Sequence, residues 1–273
     1  MDIATKNYFD DESNNSSLEF FRDALFGDGF FTTAVVRDGH IVNKERHLAR
    51  LEESAKRLKF NQWNETELGL GLEQITTKYP DSILRISCSR KQRERGYAFN
   101  SNSKIQCDIT IQKLIEFSHK NCQLKIAKTP ISVNKMLAGI KHLNRLDNVM
   151  ASSECEAPNQ EALMCDEERV ICGSRSNLFI KLDGEWLTPT ISDCGINGIT
   201  QSLVIEKMND IGVKCRRENI YKADLKKMSA SFITNSLVGI LPAISFKNVE
   251  LDIDLALDLD CVSLLKNKLD LTL

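Results

Sequence analysis

Hydrophobic periodicity switches between two and 3.6 residues along this chain, and the order of the switches limits the folds open to it. Residues 31–42, FTTAVVRDGHIV, hold two β-branched runs on either side of Asp38-Gly39. An Asp-Gly pair accepts the positive φ that a type I′ turn demands, so this stretch is expected to form a β-hairpin. In the segment that follows, NKERHLARLEESAKRLKF, Leu48, Leu51, Ala55 and Leu58 recur at helical spacing, with Asn43 placed to cap the helix. A second helical stretch covers about 65 to 78 and stops before Pro80.

The pattern then returns to period two. ILRISCS (83–89) and KIQCDITIQ (104–112) alternate apolar and polar residues, as strands with one buried face do. KLIEFSHKNC (113–122) reads as a crossover, QLKIAK (123–128) as a strand and 141–153 as a helix. EALMC, RVICG and NLFIKL are short strand-like pieces, and Asn197 or Gly198 opens the helix GITQSLVIEKMNDIG. SFITNSLVGILPAISF reads as strand, bend, strand, and the C-terminal ALDLDCVSLLKNKLDLTL as helix. There is no internal repeat, no regular βαβ series and no GxGxxG or GxxxxGK. The expected class is α+β with two lobes. An N-terminal α/β lobe covers 1–115, a linker 116–122, and a C-terminal mixed α/β lobe 123–273.

Composition excludes some functions. Thirty-six Lys and Arg against 38 Asp and Glu leave a formal net charge of −2, which argues against nucleic acid or an anionic membrane as main partner. No apolar run reaches the ~20 residues of a membrane helix. The polar, acidic start MDIATKNYFDDESNNSS lacks the basic region and apolar core of a secretory signal. The nine cysteines are odd in number and show no CxxC spacing. A disulfide framework or metal site is therefore not expected, and a reducing cytoplasm is.

LAGIKHLNRLDNV (137–149) sets a lysine directly after an apolar turn. Burial disfavours a charged ammonium, and a neutral amine attacks carbonyl carbons to form a Schiff base. From this window alone, an exposed lysine at a helix start is the commoner outcome. Arg50 borders the apolar stripe of its helix, where a guanidinium can fork onto a phosphate; an exposed helix face is the alternative. GINGIT (195–200) opens a helix whose first N–H groups lack partners and favour an anion, or it is a plain cap. His47 and His142 are weaker candidates as bases, because hydrogen-bonded structural histidines are commoner. His40 sits in the hairpin and His119 in the linker. A lysine for a carbonyl plus two anchors for a phosphate matches the two handles of pyridoxal phosphate.

FGDGFFTT (26–33), HLARL (47–51), RGY (95–97), LAGIKHLNRL (137–146), SNLF (176–179) and GINGIT (195–200) together resemble fold-type IV pyridoxal-phosphate enzymes. That family includes branched-chain and D-amino-acid aminotransferases. GIKHLNRL resembles its 4-amino-4-deoxychorismate lyase branch, which serves folate biosynthesis. The resemblance implies two α/β lobes with the cofactor, pyridoxal 5′-phosphate, between them, and a homodimer. It makes Lys141 the Schiff-base lysine and proton shuttle. Arg50 falls on the cofactor phosphate, and Ile199 and Thr200 complete that site with backbone N–H groups and a hydroxyl. Asn235 and Ser236, in ITNSL, match a nearby turn. Arg95 and Tyr97 are expected to hold substrate carboxylates, with an exposed loop as the alternative.

One departure bears on the reaction. The family sets a glutamate five residues before the Asn of NLF, against the pyridine nitrogen, and this chain has Cys172 there. A neutral thiol cannot keep that nitrogen protonated. Transamination suffers more from this than an elimination driven by aromatisation of the product. Glu167 and Glu168 fall outside the slot, and Gln201 stands where aminotransferases often carry arginine. The expected function is a lyase forming 4-aminobenzoate and pyruvate from 4-amino-4-deoxychorismate. The alternatives are a fold-type IV aminotransferase and, because of Cys172, a catalytically impaired cofactor-binding paralogue.

Overall fold

The computed structural model describes residues 2–5, 22–91, 96–114, 120–248 and 251–254. Part of the expected crossover, the C-terminal helix, Arg95, His119 and Cys261 lie outside these residues. The chain divides into two compact units, residues 1–115 with 141–144, and residues 116–140 with 145–273.

The first unit contains β1 (Asp2–Thr5), α1 (Arg22–Phe26), β2 (Gly29–Arg37), β3 (His40–Ile41), α2 (Lys44–Arg57), α3 (Glu65–Lys78), β4 (Ser82–Arg90) and β5 (Ile105–Lys113). Its sheet runs β1-β5-β4-β2-β3; β1 joins β5 in parallel and the other pairs are antiparallel. The hairpin forms as its turn chemistry requires, with Asp38 at φ 48° and Gly39 at φ 76°. Helix α2 packs on β2, and Leu48, Leu51 and Ala55 are buried along it. Fully burying a leucine such as Leu51 contributes roughly 1.5–3 kcal/mol. Asn43 departs from expectation. It takes the left-handed conformation at φ 57° to leave the hairpin, and its side chain makes no cap bond. Asn64 does cap α3, accepting from the Glu67 N–H at 3.1 Å.

The second unit contains β6 (Cys122–Ile126), α4 (Leu146–Ser153), β7 (Gln160–Asp166), β8 (Arg169–Gly173), β9 (Asn177–Leu182), β10 (Glu185–Pro189), α5 (Ile199–Asp210), β11 (Cys215–Glu218), β12 (Ile220–Tyr221), α6 (Lys222–Leu225), β13 (Ala230–Asn235), β14 (Gly239–Asn248) and β15 (Leu251–Asp254). Its sheet runs β11-β10-β9-β13-β14-β6-β7-β8-β12, with β15 also paired to β14. One face packs on α5, where Phe179 stacks on Phe232 at 4.6 Å and Trp186 closes on Phe232 at 4.9 Å. The mixture of helices with two sheets is α+β, as expected.

Residues 141–144 differ from their reading as helix within the C-terminal lobe. They belong to the first unit. The Phe31 N–H donates to the Lys141 carbonyl at 2.9 Å, the Leu143 N–H donates to the Gly29 carbonyl at 3.0 Å, and Phe30 bridges His142 antiparallel. The edge of β2 beyond β3 offers backbone groups that need partners, and this segment supplies them by staying extended. Helix α4 consequently starts only at Leu146, with Arg145 at its N-cap. Cys122, assigned to the linker, already opens β6.

Candidate functional site

In the first unit the residues around Lys141 come from β2, β4 and α2. Lys141 is half-buried, and its Nζ lies 4.5 Å from the centroid of the Phe31 ring on β2. The Arg85 guanidinium, from β4, lies 3.7 Å from the same centroid. Arg85 also donates from Nε to the Ser87 hydroxyl at 3.1 Å. The amine and a second cation thus share one aromatic ring, whose electron-rich face attracts both. Burial pulls the Arg85 pKa below the usual arginine value.

Helix α2 contributes His47 and Arg50. Burial draws the Arg50 pKa down to about 10, so the guanidinium stays charged at neutral pH. His47 is buried, with Nδ1 2.7 Å from the Thr32 hydroxyl. Burial first, then the positive fields of Arg50 and Lys141, lower its pKa to about 3. It is a neutral, hydrogen-bonded histidine beside two cations. In the unfolded chain His47 titrates at its ordinary 6.5 and in the folded chain at about 3, so between these values only the unfolded state takes the proton. Stability should therefore fall as pH drops from 6.5 towards 3, by an amount on the order of a few kcal/mol from this residue. His47→Gln is expected to flatten that loss; urea melts across the acid range check it, and an unchanged slope would contradict it.

Of the substrate candidates, Tyr97 is 85 % exposed on a loop. Its carbonyl accepts from Arg22 at 3.1 Å and its ring meets Phe26 at 5.2 Å.

In the second unit, Ile199 and Thr200 form the first turn of α5 and are buried. Gly198, the N-cap residue, supplies no side-chain cap. A Cβ there would strike the carboxamide of Asn177, whose Nδ2 donates to the Ile196 carbonyl at 2.9 Å. Glycine thus lets Asn177 seat the loop that leads into the helix. Gln201 is fully buried and bonds Thr188 at 2.8 Å, tying the same turn to β10. The opening N–H groups of α5 have no intrahelical acceptor, and the helix dipole favours an anion there.

Cys172 lies on β8 in an apolar cluster with Ala127, Ile131, Ala162, Met164, Ile171 and Cys194. Burial, reinforced by Cys194, pushes its thiol up to about 12, so it is protonated at neutral pH. Glu167, at φ 51°, turns the chain from β7 to β8, and Glu168 bonds Lys222 at 3.2 Å. Asn235 uses its side chain locally. Its Oδ1 accepts from the N–H groups of Leu237 and Val238 at 2.9 Å each, and its Nδ2 donates to the Arg175 carbonyl at 3.3 Å. Ser236 follows it in the turn between β13 and β14. Among the described residues no His, Cys, Asp and Glu cluster suits a metal ion.

Arg85 and Asn177 carry roles that pattern reading missed. The signal for Arg85 was a lone cation in an otherwise apolar or small-residue strand, ILRISCS.

The family model of class IV amino-transferases matches residues 29–246. The chain belongs to that family. Its fold is that of the fold-type IV enzymes, and its cofactor is pyridoxal 5′-phosphate. It is 26 % identical over 244 residues to aminodeoxychorismate lyase of Vibrio harveyi, covering 85 % of this chain and 88 % of that one. It is 25 % identical over 226 residues to D-alanine aminotransferase of Bacillus licheniformis, covering 81 % and 79 %. The crystal structure of 4-amino-4-deoxychorismate lyase from Pseudomonas aeruginosa superimposes with a TM-score of 0.84 at 28 % identity, covering 96 % of this chain and 97 % of that one. The donor set here fits the cofactor: Lys141 offers a primary amine that could take its aldehyde, and Arg50 a half-buried, charged guanidinium that could take its phosphate.

Proposed function

We propose that this enzyme is a lyase that converts 4-amino-4-deoxychorismate to 4-aminobenzoate and pyruvate, a step of folate biosynthesis. The observation that carries the reading is the pair of cations on the Phe31 ring. Lys141 supplies the base, and Arg85 a fixed positive charge near it. A substrate with a reactive amine, an unsaturated ring that becomes flat in the product and two carboxylates needs an amine-reactive base, an aromatic surface and a guanidinium in such an arrangement. The likenesses to lyases in the comparisons support the same reading.

Lys141 is assigned the covalent link to the cofactor and the proton transfers. Arg50, and the N–H groups of Ile199 and Thr200 with the Thr200 hydroxyl, are assigned to its phosphate. Asn235 and Ser236 shape the turn assigned to the same phosphate. Bound pyridoxal phosphate supplies an electron sink for a carbon that carries the reacting amine. Lys141 Nζ, once free and neutral, takes the proton from the amine-bearing ring carbon. The ether C–O bond then breaks, its electron pair leaves with the enolpyruvyl oxygen, and the ring becomes aromatic. Lys141 Nζ hands the proton it took to that departing enolate, which becomes pyruvate, and the amine is neutral again. Arg85, with Arg95 and Tyr97, anchors the substrate carboxylates. The neutral Cys172 suits this chemistry, because aromatisation supplies driving force that amino transfer lacks.

Steady-state assay with 4-amino-4-deoxychorismate is expected to give pyruvate and 4-aminobenzoate in equal amounts. Amino transfer from D-alanine to a 2-oxo acid, with no pyruvate released from the chorismate substrate, would establish the second reading instead; the likeness to D-alanine aminotransferase favours that alternative. Cofactor binding with neither product would mark an impaired paralogue.

The working form is proposed to be a homodimer. Leu146, Val149 and Met150 expose an apolar stripe on α4, with Met136 exposed nearby in the chain. Light scattering tests this, and a monomer at micromolar concentration would refute it. A cytoplasmic location suits the eight described cysteines, all free thiols.

A further inference from the structure

Two buried arginines of the first unit share one carboxylate and hold one turn. Arg22, on α1, is 3 % exposed. Its Nε donates to Asp28 Oδ2 at 2.7 Å, one terminal nitrogen donates to the Gly96 carbonyl at 2.9 Å, and the other donates to the Tyr97 carbonyl at 3.1 Å. Arg90, on β4, brings Nε within 3.2 Å of the same Asp28 oxygen. That contact is close enough for attraction between charges but not aligned as a hydrogen bond. Its terminal nitrogens donate to the Lys59 and Leu58 carbonyls. Its guanidinium lies 3.8 Å from the Phe60 ring centroid and 3.9 Å from that of Phe99.

The main chain at Gly96 and Tyr97 is therefore pinned from beneath by Arg22, and Phe99 is pinned by Arg90. Gly96, at φ 94°, makes the turn. The Tyr97 side chain remains 85 % exposed. A buried charge with three directed bonds, two of them to main-chain carbonyls, is an expensive way to hold a loop that does nothing. A rigid backbone beneath an exposed phenol is the arrangement of a recognition residue on a scaffold.

We propose that Arg22 is a positioning residue for substrate binding. Through Asp28 and the carbonyls of Gly96 and Tyr97 it fixes the turn that presents the Tyr97 hydroxyl to a carboxylate of the substrate. This rests on the reading that Tyr97 serves the substrate of the lyase reaction. Asp28 orients Arg22, and Arg90 shares Asp28 and seats the far end of the turn.

The test compares Arg22→Lys, Tyr97→Ala and the double variant of the full-length holoenzyme, with 4-amino-4-deoxychorismate as substrate. Lysine keeps a charge for Asp28 but lacks the planar fork that reaches two carbonyls. Arg22→Lys is expected to raise KM by about tenfold with kcat within about twofold, as loosened positioning does. Tyr97→Ala should do the same, and the double variant should be no worse than Tyr97→Ala alone. Hydrogen exchange at the amides of residues 96–99 should quicken in Arg22→Lys. If Tyr97→Ala raises KM while Arg22→Lys leaves KM and exchange unchanged, the inference fails and the reading of Tyr97 stands. If Tyr97→Ala leaves KM unchanged, or the wild-type chain does not turn the substrate over, that reading fails and the inference with it. A drop in kcat and melting temperature with KM unmoved would mark Arg22 as merely structural and overturn the proposal.

Discussion

Replacing Lys141 with alanine is expected to lower turnover by at least about a thousandfold, because the proposed mechanism gives one amine the work of both covalent anchor and proton carrier. The fold should survive. The contact that seats residues 141–143 on β2 is made by the Lys141 carbonyl and not by its side chain. The side chain is only half-buried, and its neighbours Phe31 and Arg85 hold each other without it. Lys141→Arg is the more demanding control. It keeps the positive charge beside Phe31, yet a guanidinium does not give up its proton and makes no comparable link to an aldehyde. Both variants should be inactive with near-native melting curves. Borohydride reduction of the yellow holoenzyme should fix the cofactor to the peptide that carries residue 141, and to no peptide in the alanine variant. Turnover in Lys141→Ala within tenfold of wild type, or colour fixed to another lysine, would remove this residue from the mechanism.

What could be read from the sequence followed the reach of the interaction concerned. The hairpin at 38–39 depends on local dihedral demands, and its residues announce it. The start of α5 was legible from the glycine turn before it, although Gly198 is there to make room for Asn177 and not for its own dihedrals. Strand β5 showed its alternation because one face is buried, whereas β4, buried along most of both faces, alternates only through the half-buried Arg85 and Ser87. Residues 141–145 misled because their conformation is set by the distant edge of β2, while their composition resembles a helix start. Asn43 looked like a cap, but the tight exit from β3 imposes a left-handed backbone on it. Short β11 and β12 went unread because CRRE and IY have too little pattern to show a period. Arg85 was hidden by the rule that polar residues on an alternating strand face water, since its guanidinium instead lies on Phe31. Asn235 illustrates the converse: its position was legible, but the commitment of its side chain to its own turn was not. Cys172 looked chemically odd only once the motif around it was aligned with a family.

Cys172→Glu is expected to shift the balance of reactions and not simply to raise activity. The native thiol sits among Ala127, Ile131, Met164 and Ile171 and stays protonated up to about 12, so in the slot proposed for it against the ring nitrogen it would offer no negative charge. A carboxylate at this position would hold a proton on that nitrogen and strengthen the electron sink. Amino transfer depends on that sink throughout, whereas pyruvate release draws on aromatisation. The ratio of amino transfer to pyruvate release should therefore rise by about tenfold or more, if one to two pKa-unit equivalents of stabilisation reach the reacting carbon. The cost is also foreseeable. A longer, charged side chain entering a packed apolar site should lower stability by roughly 1–3 kcal/mol. Arg145, whose positive field already acts on Cys172, offsets part of it. Cys172→Gln, of the same size without the charge, separates packing from electrostatics: it should lose stability and leave the ratio where it was. If glutamate and glutamine move the ratio equally, residue 172 acts through shape and does not face the ring. If glutamate raises pyruvate release itself by orders of magnitude, the thiol is a defect, and the impaired-paralogue reading gains what the lyase reading loses.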